Sequence, residues 1–200
     1  MTSSLTPITL AGTTIQLEPL TSLHAAALQQ AANDERIWIY MPVSACGANF
    51  TAWFEDALSK QTQGTQFTYV IRRRADNTVI GSRAYYDMDL HHKRLEVGYG
   101  WFIPAVWGSV YNHESLWLLF QNAFEHWGMN RIQISTDPRN KRSYNALKKL
   151  GATAEGLLRQ HMRHHHGLIT DTAVFSILAT EWPAIKLTLG ARLLNSSAKK

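Results

Sequence analysis

The sequence predicts an α+β fold in one domain, built on a mostly antiparallel sheet. Three observations predict it. The chain has 200 residues and is 45% hydrophobic and 18% charged, enough for one sizeable core and too short for two comfortable ones. Strand and helix patterns follow the order β-α-α-β-β-β-α-β-α-β-β with a terminal helix, about seven strands and four helices before the tail. Antiparallel strands come first, and one strand–helix crossover sits in the middle.

Thr13–Leu20 alternates and reads as a strand. Ser22–Asn33 is rich in Ala, Leu and Gln and reads as a helix capped by Thr21 or Ser22. Asp34–Ala48 is a loop with a turn of helix at most. Phe50–Lys60 has apolar residues at helical spacing. "QFTYVIRRR" and "VIGSRAYYDMD" flank the turn "ADNT", and "LEVGYGWFI" follows "HHKR" as the third strand of a meander. A long helix follows over Asn112–Trp127, with Asn112 as N-cap and Gly128 as its stop. Its apolar stripe is Leu116, Leu119, Phe120, Ala123, Phe124 and Trp127. "RIQISTD" is a short strand, and the next helix begins near Pro138 and closes at Gly151. Residues 153–178 read as a hairpin turning near Gly167, and a helical tail covers 181–195.

A formal net charge of +5 attracts phosphate-bearing ligands, but the basic residues are spread out, with short clusters only at Arg72-Arg73-Arg74 and Lys199-Lys200. No nucleic-acid partner is expected from this pattern. One cysteine, Cys46, allows no internal disulfide. No secretory signal and no apolar run of roughly 20 residues is present, so the expectation is a soluble cytoplasmic protein with no membrane partner. The 7 tryptophans imply a large aromatic core or an aromatic-lined pocket, and Trp38, Tyr40 and Trp53 are candidates for either. "HMRHHHG" is a polar turn or an acceptor-site or phosphate contact; three consecutive histidines point in different directions, so no metal site is expected.

The stretch "WGSVYNHESLWLLF" carries a glycine and polar loop straight from a strand into an apolar helix. Such a unit aims free N–H groups and the positive helix end at one point, which suits phosphate oxygens; it also serves as an ordinary helix start. Its company decides between them. Glu96-x-Gly98, then Trp107-Gly108-x-x-x-Asn112-x-Glu114, a long helix, a short strand, and Asp137-x-x-Asn140-x-x-Ser143-x-x-x-Leu147-x-Lys149-Leu150-Gly151-Ala152-x-x-Glu155-Gly156 span about 60 residues. This ordered set resembles the GNAT acetyltransferase superfamily, and within it the Rim-type ribosomal-protein N-terminal acetyltransferases.

The resemblance implies the GNAT fold, a sheet splayed in its middle, and acetyl-CoA as co-substrate for an amine acceptor. It places a bulge at Gly98 and Gly100, the thioester oxygen on backbone amides near Trp101, Phe102 and Ile103, and the pyrophosphate on the backbone of Gly108, Ser109, Val110, Tyr111 and Asn112. Asn140 takes the position that contacts the pantetheine arm, Ser143 that of the acid for the departing thiolate, and Arg142 with Lys141 stands near the coenzyme phosphates. The family's second and third loop glycines are Val110 and Asn112 here, a common tyrosine acid is Leu147, and the Rim-type strand glutamate is Met162. Acetyl transfer needs a base for the ammonium form of the acceptor. Glu96 is the best carboxylate, two residues from Gly98 on the same strand face; it is alternatively a structural partner of Arg94 or Lys93. His91 and His92 are weaker candidates, in a solvated turn. Tyr85, Tyr86 and Asp87 shape the acceptor pocket or the core. The expected activity is direct acetyl transfer to a protein N-terminus or small amine; the alternative is a non-catalytic acyl-CoA-binding regulatory module. A homodimer through the final hairpin or tail is compatible with this fold.

Overall fold

A computed structural model describes residues 5–197. Lys199 and Lys200 lie outside the described residues. The strands are β1 (Leu10–Ala11), β2 (Ile15–Pro19), β3 (Gln66–Arg73), β4 (Val79–Asp89), β5 (Arg94–Phe102), β6 (Arg131–Thr136), β7 (Thr153–Arg163) and β8 (Ile169–Leu178). The helices are α1 (Ala25–Ala32), α2 (Phe50–Thr62), α3 (Tyr111–Gln121), α4 (Lys141–Leu150) and α5 (Trp182–Ser197). Among the described residues the strands form one sheet in the order β1-β2-β3-β4-β5-β6-β8-β7.

Both faces of this sheet are covered, so β4 is buried from Val79 to Tyr85 without alternation. On one face α1 and α2 cover Trp38, Val70, Val79 and Trp101 together with Leu28, Phe50 and Phe54. On the other, α3 and α5 pack through Leu116, Leu119, Phe120, Trp182 and Ile185 over Tyr85, Val97, Ile132 and Phe175. Most tryptophans serve this packing: Trp38 stands 5.4 Å from Trp101 and 6.4 Å from Trp53, centroid to centroid.

Among the described residues only the β5–β6 pair is parallel, and its register covers Arg94↔Arg131, Leu95↔Ile132 and Glu96↔Gln133. Beyond Glu96 and Gln133 the two strands part, and this is the splay that the resemblance implies. The crossover from β5 to β6 carries α3 between them, so the helix start sits at the open end of the gap.

Several expectations change in detail. The short β1, pairing with β2 through Leu10↔Leu17, makes an eighth strand. The first helical stretch starts as a 3-10 turn at Ser22–His24 before α1, and the 34–48 loop contains two such turns, at Glu35–Ile37 and Gly47–Asn49. The long helix begins at Tyr111 with Val110 as N-cap, so Asn112 lies in the first turn and is not the cap. It also widens into a π turn at Asn122–His126. The cause is a side chain inserted into the helical ladder: the buried Tyr85 hydroxyl donates to Leu119 O at 2.6 Å. The last core helix starts at Lys141, three residues after Pro138, where the Asn140 side chain accepts from Ser143 N at 3.1 Å. Gly151, at φ 96°, ends it.

Candidate active site

The gap between β5 and β6 opens into a cavity of about 690 Å³. Its walls are the residues from Glu96 to Gly100, Gln133 to Asp137, the loop at Trp107–Ser109, the first turn of α3, the start of α4, the β7–β8 hairpin and Tyr40–Pro42.

At one end lies the glycine loop. Gly108 takes φ +78°, and a Cβ there would meet nothing, so the requirement is conformational. Val110 has φ −66° and ψ −24°, an ordinary helical conformation that a branched side chain tolerates. The loop therefore needs one glycine, not three. The N–H groups of Val110, Tyr111, Asn112 and His113 have no acceptor among the described residues, whereas Glu114 N already bonds Val110 O at 3.0 Å. Four unspent donors at a helix start form an anion cradle that fits a diphosphate. The Ser109 hydroxyl and amide both turn back onto Val106 O (2.6 and 3.3 Å), so Ser109 adds no free donor to the cradle. The Arg142 guanidinium stacks 4.3 Å from the Trp107 ring, at the mouth of the same loop.

The bulge is at the expected place. Ser82 pairs with Trp101 and Ala84 with Gly98, so β5 carries one extra residue there, and Tyr99 adopts φ 48°. In this register Tyr99 and Gly100 are left without a β4 partner, whereas Trp101 and Phe102 are paired. Ile103 N donates to Ile80 O at 2.9 Å, and the Trp101 side chain is buried against Trp38 and Trp53, on the opposite sheet face. Of the expected coenzyme residues, Phe102, Gly108, Ser109, Asn112, Asn140 and Arg142 line the cavity; Trp101, Ile103, Val110 and Tyr111 do not, although Val110 and Tyr111 offer free amides.

Glu96 lines the cavity where the strands part, and it is buried. It does not pair with Lys93 or Arg94; Arg94 instead holds Asp87 at 2.7 Å and Asp89 at 3.5 Å. The Tyr86 hydroxyl and Gln133 Nε2 (2.8 Å) both donate to Glu96, which holds its carboxylate in place without an ion pair among the described residues. Burial, and next the Glu96 charge, push the Tyr86 phenol far above its ordinary range, so Tyr86 stays a donor. Ser143 faces the same cavity from α4, and Leu147 lies behind it in the wall.

The end beyond Glu96 is built from Tyr40, Met41, Asp137 and the final hairpin. His161 and His164, from the histidine-rich stretch, both reach it. His161 Nδ1 is 3.1 Å from Thr172 Oγ1; His164 is buried, 3.0 Å from Thr170 Oγ1 and 3.6 Å from Asp137 Oδ2. Burial presses the His164 pKa down despite Asp137. Trp38 and Trp53 stay in the core, and His91 and His92 are exposed away from the cavity. Among the described residues no three His, Cys, Asp or Glu side chains converge as a metal site.

The sequence pattern of the acetyltransferase (GNAT) domain matches residues 14–153. The chain belongs to the GNAT acetyltransferase family. The uncharacterized N-acetyltransferase YoaA of Bacillus subtilis is 31% identical over 122 residues, 61% of this chain and 67% of that one. A GCN5-related N-acetyltransferase from Brucella melitensis, solved by crystallography, superimposes with TM-score 0.86 at 26% identity, over 95% of this chain and 87% of its own. RimJ of Mycobacterium smegmatis, solved with CoA-disulfide, shares the fold at 19% identity and TM-score 0.75, over 89% of this chain and 90% of its own. This GNAT enzyme is thus an N-acetyltransferase, and the GNAT domain implies acetyl-CoA as its co-substrate.

One residue of this GNAT site escaped the sequence reading. Arg83 points from the middle of β4 into the cavity. It is only 8% exposed, and its Nη2 donates to Asn112 Oδ1 at 2.6 Å. The available signal was an arginine among the apolar residues of a strand buried on both faces.

Proposed function

We propose that the enzyme transfers an acetyl group from acetyl-CoA directly to a primary amine within a ternary complex. The observation that carries this is one cavity joining two features: four unspent amides at the start of α3, and the buried carboxylate of Glu96 where β5 and β6 part. The amides of Val110 to His113 would receive the diphosphate, and the Asn140 Nδ2, left over once Oδ1 caps α4, would meet the pantetheine arm. When bound, acetyl-CoA supplies an activated acetyl thioester.

Glu96 takes a proton from the acceptor ammonium, giving the neutral amine that attacks the thioester carbonyl. A backbone N–H at the Gly98 side of the bulge, next to Glu96, would receive the developing oxyanion. The C–N bond forms, the C–S bond breaks, and the Ser143 hydroxyl delivers a proton to the thiolate before being reprotonated from solvent. Glu96 passes its first proton to water and then takes the second amine proton, which leaves the same way. The acceptor enters from the side of Tyr40, His161 and His164, where a protein N-terminus or a small amine has access. The motif from Asp137 to Gly156 favours the Rim-type branch, while Met162, in place of its strand glutamate, separates this enzyme from ribosomal-protein substrates.

Amine-dependent release of coenzyme thiol, with one acetyl group gained by the acceptor, tests the proposal. Glu96→Gln is expected to lower kcat/KM about 100-fold at neutral pH without weakening coenzyme binding. No thiol release with any amine, or full activity in Glu96→Gln, would overturn it.

A further inference from the structure

The most buried unpaired cation of the site has no task in the mechanism above. Arg72, Arg94, Arg131 and Arg139 each meet a carboxylate within 3.0 Å. Arg83 meets none among the described residues, although it is the one enclosed by protein. A buried guanidinium without an anion is expensive, and each buried donor left unsatisfied costs more. Its Nε is such a donor.

The surroundings are nevertheless shaped to hold it. A Cβ on Gly100 would come within 2.7 Å of the guanidinium, so a glycine there lets the group lie flat against the β5 bulge. Asn112, in the first turn of α3, braces Nη2. Nη1 makes no hydrogen bond among the described residues, and Arg83 lines the cavity. The field at this end is positive: the pKa of nearby His113 is lowered by burial first, then by Arg192 and Arg83.

We propose that Arg83 is a diphosphate-binding residue, which closes from the sheet side the cradle formed by the α3 amides and makes the enzyme select acyl groups carried on coenzyme A over phosphate-free carriers. Asn112 connects the guanidinium to the helix start that bears the unspent amides, whereas Glu96 marks the reacting end. The two N–H groups of Nη1 can each meet a phosphate oxygen, and the charge strengthens both bonds. Asn112 then has a role that a glycine at that loop position could not fill. The proposal rests on the coenzyme reading above and adds a source of donor specificity to it.

Calorimetric titrations with coenzyme A, pantetheine and inorganic pyrophosphate test it in wild type, Arg83→Met and Arg83→Lys. Arg83→Met is expected to weaken coenzyme A and pyrophosphate at least tenfold, about the size of one charge-assisted contact, and to leave pantetheine within about twofold. Arg83→Lys falls between. Asn112→Ala, which removes only the brace, repeats the pattern more weakly and decides the matter should Arg83→Met fail to fold. Unchanged coenzyme affinity in Arg83→Met, or an equal loss for pantetheine, overturns the clamp. So does a wild-type preference for succinyl- over acetyl-pantetheine that Arg83→Met abolishes, since the anion held would then be an acyl carboxylate. Arg83-dependent binding of pyrophosphate without any binding of coenzyme A leaves the clamp standing and removes the acetyl-CoA reading instead.

Discussion

Glu96 and Glu114 are both buried carboxylates without an ion pair among the described residues, and they do different work. Glu96 faces the cavity and keeps its place through Tyr86 and Gln133. Glu114 faces the protein: it accepts the N–H groups of Thr13 and Thr14 and the Thr14 hydroxyl, and so ties α3 to the turn between β1 and β2. Glu114→Ala would strand these donors in the interior. We expect a loss of about 3 kcal/mol, seen as a fall of roughly 6–12 °C in Tm, with coenzyme affinity at low temperature little changed. Residue chemistry was partly legible in the sequence. Glu96 stood out because period two puts it on the face of Gly98, and Glu114 belonged to the recognised motif without showing its task. Arg83 was illegible because nothing local tells whether an arginine in an apolar strand snorkels outward or is held inside; that depends on Gly100 and Asn112, which only the fold brings to it.

Elements were legible where local chemistry sets them and obscure where tertiary contacts do. The meander followed from its turns, and the Gly151 stop from the left-handed backbone it adopts. The π turn of α3 could not be read, because it depends on the Tyr85 hydroxyl, 34 residues away in sequence. The attachment of the edge strand is similar. On β7, Glu155 receives both terminal nitrogens of Arg131 from β6 at 2.5 Å and the Ser176 hydroxyl from β8 at 2.7 Å, so one carboxylate fastens three strands. Arg131 holds its pKa down to about 2. A carboxylate lowered in this way stabilises the fold above its ordinary value near 4.5 and loses that contribution as pH falls toward 2. Because the pair is partly exposed, the effect is screened to about 1 kcal/mol. Glu155→Gln should therefore lower Tm by roughly 2–4 °C at pH 6 and not at pH 2, as followed by thermal melting.

At the scale of the whole molecule, the end of the cavity beyond Glu96 is where chain segments far apart in sequence meet. The hairpin turn crosses to the segment before α2, with His165 Nε2 3.4 Å from Trp38 O, and His164 is enclosed beneath it. Its surroundings set the sign of its response to acid. Burial disfavours the imidazolium, Arg139 and His166 disfavour it further, and Asp137 opposes them without winning. The folded protein thus keeps His164 neutral at a pH where the unfolded chain, with an ordinary value of 6.5, already takes up a proton. Stability is unaffected well above 6.5 and declines as pH falls from there toward the lower folded value, a window that lies above the one for Glu155. His113, also lowered by burial, adds to the same slope. Melting temperatures measured between pH 7.5 and 5.5 should fall in wild type and fall less in His164→Asn, whose amide keeps a hydrogen-bonding group at the site without a titratable charge. An identical slope in the variant would mean that protonation of His164 does not distinguish the two states, and that the hairpin opens to water before the rest of the fold gives way.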